Sequence, residues 1–203
     1  MSWPKYIIKD NFLTDKHFEL AKKLQPHLTT QSDKWNLLRC VVKDNKATVE
    51  GYVKSDASDI KSGEDGFGAK ISDANDIISE EEVLDIHNTY HAYMIKILKD
   101  LAPEKVKLYQ FSEISFINTG KDYSFHIHKD TPTKLLSGVI YISPEKNEGT
   151  WLYDNKEGDN PREIEWKQNR GFLFSATKES WHSYKADGKN DRLALVYNLR
   201  YDK

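Results

Sequence analysis

His126, His128 and Asp130 occupy alternate positions in the stretch DYSFHIHKDTPTK. In an extended chain a period of two puts them on one face of a strand, and all three side chains can bind a metal. Inside a β core such groups need a partner, and one metal ion would satisfy them together. On an outward face they would simply be solvated. A further donor, His182, lies downstream in ESWHSY, after the glycine-led apolar run NRGFLFSA. Two histidines and one carboxylate make a facial set that leaves coordination positions open for reacting molecules, a pattern suited to iron(II). Ten residues beyond His182, Arg192 opens the apolar run RLALVYNL. A charge at the head of an inward-facing run is costly unless it meets an anion.

The remaining histidines point elsewhere. His17 and His27 lie in or just after a predicted helix with no ligand partner at useful spacing, so surface or packing roles are expected. His87 and His91 form HNTYH, an i,i+4 pair that could hold zinc on a helix. Asn88, however, stands where the zinc-protease pattern needs its glutamate, and His87 shares the helix's apolar stripe. The lone Cys40 excludes an intrachain disulfide framework and a cysteine-rich zinc site. A net charge of -2 without any basic block gives no clear nucleic-acid footprint. No apolar run is long enough for a signal peptide or a membrane span, so a soluble, cytoplasmic protein is expected.

The elements that must position these residues follow from periodicity. KYIIKDNFL reads as a strand, and TDKHFELAKKLQ as a helix with Thr14 as N-cap and Phe18, Ala21 and Leu24 on one face. Residues 43–76 read as a polar, glycine-punctuated loop, a candidate lid. A helix then opens on a capping box, Ser79 with Glu82, carries Val83, Tyr90, Met94, Ile97 and Leu101 along one stripe, and stops at Pro103. From residue 105 onward, about eight short runs rich in β-branched and aromatic residues, from VKLYQFSEISFIN to RLALVYNLR, predict a sandwich or rolled barrel. The chain therefore reads as α+β and as one domain over 1–203: a helical N-terminal part over 1–104, then a jelly-roll core over 105–200.

The ordered set HKD (His128, Asp130), distal His182 and Arg192 resembles the Fe(II)- and 2-oxoglutarate-dependent oxygenases, most closely the prolyl-4-hydroxylase-like branch. SGVIYIS, EGTWLYD and the opening YIIKDNFLTDKHFELAKKL resemble family segments as well, leaving only about 30–80 without a counterpart. The resemblance implies a double-stranded β-helix with an N-terminal strand and packing helices, Fe(II) held by His128, Asp130 and His182, and 2-oxoglutarate with its far carboxylate on Arg192. It implies Tyr141 on the same carboxylate and Asn118 near the cosubstrate. Asn198, which shares a strand face with Arg192 by even spacing, could line the substrate side. The implied reaction consumes O2, hydroxylates a small-molecule or peptide substrate and releases succinate and CO2, with ascorbate in support. His126 reads as a neighbour of the metal set or a substrate contact, and Trp151 and Trp181 as candidates for an apolar, aromatic mouth.

Departures from the family pattern are specific. Phe125 stands three residues before His128, where that branch often has tyrosine, and Ala194 stands two residues after Arg192, where the R-x-S pattern of other branches has a hydroxyl. Two other readings use the same residues. A cupin would take His126, His128 and His182 but supplies no glutamate before Glu145 and no use for Arg192. A non-catalytic, lectin-like jelly roll would leave the histidines incidental.

Overall fold

The computed structural model describes residues 3–54, 69–71 and 74–202. The chain opens with β1 (Tyr6–Lys9), α1 (Asp15–Leu24) and a 3-10 turn at Gln25–Leu28. It continues through β2 (Trp35–Lys43), β3 (Lys46–Lys54), β4 (Ala69–Ile71), α2 (Glu80–Leu101) and a second 3-10 segment, Pro103–Leu108. The remaining strands are β5 (Phe111–Thr119), β6 (Ser124–His128), β7 (Lys134–Ser143), β8 (Thr150–Tyr153), β9 (Arg162–Ile164), β10 (Gly171–Phe174), β11 (Trp181–Lys185) and β12 (Arg192–Arg200).

All pairings are antiparallel. One sheet runs β1-β10-β7-β12-β5-β2-β3-β4 and the other β6-β11-β8-β9. Alternation assigns the faces. Leu38 and Cys40 of β2, Ile114 and Phe116 of β5, Leu195 and Leu199 of β12 and Ile140 of β7 point to the helices, where they pack with Leu24, Val83, Met94 and Ile97. The opposite face of the larger sheet meets the smaller sheet. There, Trp3, Leu152, Ile164, Phe172 and Phe174 form one apolar plug, and Trp35, Leu37 and Tyr123 with Phe125 and Tyr184 form another. This arrangement is consistent with a jelly roll, and the metal-capable residues lie between the two plugs.

The predicted helices form for the expected reasons. Thr14 accepts from the His17 backbone N–H, and Ser79 and Glu82 complete a reciprocal capping box. The polar-loop reading of 43–76 needs correction. β2 and β3 make a hairpin through Asp44 and Asn45, whose φ values of 51° and 58° suit a two-residue turn. Hence Lys46–Lys54 is strand, and so is Ala69–Ile71. Residues 55–68 and 72–73, the rest of the candidate lid, lie outside the described residues. The larger sheet also crosses the boundary drawn at residue 104, because β2 pairs with β5 and β1 with β10. No helix among the described residues is long and apolar enough to cross a membrane.

His17 and His87 both serve packing. His17 is buried and bonded to Tyr90 Oη and Asp85, each at 2.9 Å, which ties α1 to α2. His87 bonds Tyr197 Oη at 2.9 Å and stacks on His91, tying α2 to β12. Burial, aided by the neighbouring His91, pushes the His87 imidazole down to about 4. The unfolded chain therefore takes up a proton that the folded chain refuses, and stability falls as pH drops from 6.5 towards 4. His87→Gln should keep a bond to Tyr197 and flatten this part of the stability curve, as measured by urea unfolding at stepped pH. An unchanged slope would assign the acid sensitivity to other groups.

Candidate metal centre

β6 and β11 bring the two distant motifs together. His128 lies opposite His182, and Phe125 opposite Tyr184. Between these pairs Ser183 of β11 alone faces two residues of β6, His126 and Ile127, which marks a bulge. The bulge breaks the period of two: Phe125 and His128 face the interior and His126 turns out to solvent. The sequence expectation that His126, His128 and Asp130 share a face is therefore corrected. His126 contributes its carbonyl, which accepts from His128 Nδ1 at 2.9 Å. His182 Nδ1 likewise donates to the Ser180 carbonyl at 2.9 Å. Each bond places the ring proton on Nδ1 and leaves the Nε2 lone pair for a metal.

One donor atom each from His128, Asp130 and His182 lie within 4.8 Å of one another. Desolvation, with the nearby His182, pushes His128 down to about 3, and burial also lowers His182. Both rings are neutral ligands at ordinary pH. Burial alone would raise the Asp130 carboxyl, but the Lys134 ammonium and then the two imidazoles, in the protonated forms they reach at low pH, outweigh it and hold the group well below the usual range. Lys134 Nζ donates to its Oδ1 at 2.8 Å and Ser137 Oγ to its Oδ2 at 2.5 Å. Two neutral imidazoles and an oriented carboxylate fit a divalent, oxygen-tolerant metal such as iron(II).

The second part of the site surrounds Arg192. Its side chain lies on the interior face of β12 and is 3% exposed, yet Nε and Nη2 have no hydrogen-bond partner among the described residues. Three aromatic rings enclose it: Tyr184 at 4.4 Å, Trp166 at 5.0 Å and Tyr141 at 5.5 Å from the guanidinium carbon. A buried guanidinium with two idle donors fits an incoming carboxylate.

Comparison with solved structures gives the fold. A Pseudomonas putida prolyl-4-hydroxylase aligns over 98% of this chain and 93% of its own, at 12% identity and a TM-score of 0.54. An oxidoreductase of the 2OG-Fe(II) oxygenase family from Burkholderia pseudomallei aligns over 96% and 84%, at 13% identity and a TM-score of 0.57. A Trichoplax adhaerens prolyl hydroxylase, solved in complex with a hypoxia inducible factor peptide fragment, aligns over 96% and 83%, at 13% identity and a TM-score of 0.53. At such identities the likeness is one of fold. No family model matches the chain, and no curated protein sequence matches it significantly.

The other expected residues fall in different places. Tyr141 is interior and beside Arg192, but its hydroxyl already bonds Thr150 Oγ1 at 2.8 Å, the Thr150 N–H and the Ile164 carbonyl. It offers Arg192 a ring face. Gly149 permits this knot, since a Cβ there would sit 1.9 Å from the Ile164 carbonyl oxygen. Asn118 faces the helices, where it donates to the Leu28 carbonyl and accepts from Gln25. Its neighbour Thr119, opposite Arg192, holds the interior position. Trp151 and Trp181 point outward, because Leu152 is the residue paired with inward-facing His182.

The end of the interior nearest Asp130 is polar, contrary to the expected aromatic mouth. Asn198 lies there, six residues from Arg192 and so about 20 Å along the strand. Its Nδ2 donates to Glu113 Oε1 at 3.0 Å, while its buried Oδ1 has no partner among the described residues. Glu113 in turn accepts from Arg39 and Arg200. Tyr184, Trp166 and Lys134 were missed in the sequence, although Tyr184 could have been found by its even spacing from His182.

Proposed function

We propose that this protein is an Fe(II)- and 2-oxoglutarate-dependent dioxygenase on a double-stranded β-helix, with hydroxylation as its reaction. The observation that carries the reading is Arg192, a buried guanidinium with two donors unpartnered among the described residues, facing the same interior as the His128, Asp130 and His182 donors. A cupin or a lectin-like module has no use for it. The exposure of His126 also disfavours a three-histidine cupin set.

On this reading, His128, Asp130 and His182 hold the iron and Arg192 takes the far carboxylate of 2-oxoglutarate. The iron and the cosubstrate together supply an oxidant from O2, with release of succinate and CO2. The protein's own tasks are then geometric. Nδ1–H bonds fix the histidine rings, Ser137 and Lys134 fix the carboxylate, and the two apolar plugs exclude water. The substrate would enter at the polar Asn198 end, where Oδ1, unpartnered among the described residues, would accept one of its hydrogen-bond donors. Small-molecule and peptide substrates both meet that requirement. Prolyl hydroxylases are among the structures similar in fold, and the Phe125 and Ala194 departures stand against assuming their substrate.

The test is turnover without a prime substrate. Purified protein with Fe(II), ascorbate and 2-oxoglutarate should form succinate slowly under O2, read by mass spectrometry. His182→Ala should abolish it. If 2-oxoglutarate binds with the metal but yields no succinate, the oxygenase reading fails.

A further inference from the structure

The Arg192 guanidinium is held by rings, since its Nε and Nη2 make no hydrogen bond among the described residues. The nearest ring, Tyr184, belongs to the same strand as His182, two residues on, or about 7 Å along β11. Tyr184 also stacks on Phe125 with centroids 5.6 Å apart and planes 6° from parallel. Phe125 in turn meets the His128 ring edge-on at 4.3 Å. The chain of contacts His128–Phe125–Tyr184–Arg192 therefore runs without a gap from the metal side of the site to its anion side.

We propose that Tyr184 is the positioning residue that sets which length of 2-oxo diacid the site accepts. This rests on the reading of the site as a metal and 2-oxoglutarate centre. A diacid chelated at the metal and gripped by Arg192 must match the separation between the two, and the Tyr184 ring fixes that separation by bracing the guanidinium. Trp166 cannot replace it. That ring stacks on Tyr141 and its Nε1 donates to the Pro144 carbonyl, so it is anchored away from β11. Without the Tyr184 ring, Arg192 would gain freedom on its metal-facing side and the pocket would gain the volume of a phenol. Both changes favour a diacid one methylene longer.

The experiment compares 2-oxoglutarate with 2-oxoadipate by calorimetry on Mn(II)-loaded protein under argon, where no turnover occurs. The wild type should prefer 2-oxoglutarate at least roughly 10-fold, the lower end of what a close-fitting pocket extracts from one methylene. Tyr184→Phe should keep that preference, because the ring does the bracing. Tyr184→Ala should reduce it to within about threefold, chiefly by weakening 2-oxoglutarate. Tyr184→Leu, which keeps an apolar side chain against Phe125, repeats the comparison should the alanine variant not fold. An undiminished preference in the alanine or leucine variant, or none in the wild type, overturns the role of Tyr184 alone. Failure of the wild type to bind either diacid overturns the underlying reading as well.

Discussion

Asp130→Ala is expected to weaken metal binding by at least about 100-fold, because even the outer partners of metal ligands are worth roughly 10–100-fold. The loss has two sources. The variant removes the only charged ligand of the set, and it strands Lys134, which then presents an ammonium to the metal with no carboxylate between them. The second source separates this site from a solvated cluster, where loss of one carboxylate matters little. His126→Ala is the contrasting control. Its ring is exposed and its contribution is a backbone carbonyl that alanine also carries, so metal affinity should stay within about threefold. Anaerobic titration with Co(II), followed by its visible absorption, reads both variants. Retained binding in Asp130→Ala with loss in His126→Ala would move the site to the three-histidine arrangement.

What the sequence made legible was which residues come together at the candidate site, more than their geometry. His128, Asp130, His182 and Arg192 could be picked out because each is a polar group that an apolar strand cannot bury without a partner. The helices were legible because Thr14 and the Ser79–Glu82 box punctuate clean periodic stripes. The β2–β3 hairpin was not, since WNLLRCVVK is buried on both faces and so lacks alternation. Its turn, Asp44–Asn45, carries no glycine to announce it. Parity errors account for most of the rest. A single extra residue in β6 flips His126 outward, and the register of β5 on β12 puts Thr119 in the interior in place of Asn118. Neither bulge nor register is written in one strand alone. Tyr141 shows a third kind of limit. Its face was legible, but the commitment of its hydroxyl to Thr150 depends on how β8 and β9 fold back beneath it, which β7 alone does not encode.

Arg192 yields a prediction whose two halves carry opposite signs. In the absence of ligand it is a buried cation with two donors idle among the described residues, and burial pulls its guanidinium below the ordinary value despite the nearby tyrosines. Replacing it with methionine, similar in length and content with aromatic neighbours, removes that desolvation cost. Arg192→Met should therefore unfold at a higher temperature than the wild type when no 2-oxo acid is present. The same variant should lose about 2–5 kcal/mol of 2-oxoglutarate binding, the range for truncating one partner of a buried charge pair. That corresponds to roughly 30- to 4,000-fold in dissociation constant, with metal affinity nearly unchanged because no donor of the triad is touched. Saturating 2-oxoglutarate stabilises only the state that binds it, so the wild type should gain in unfolding temperature on its addition and the variant should not. The order of the two proteins is then expected to invert between ligand-free and ligand-saturated scans of the Mn(II)-loaded forms. Should Arg192→Met prove less stable without ligand, Arg192 would have a partner within the folded protein. Its side chain would then be a structural ion, and the case for an anion at this end of the barrel would go with it.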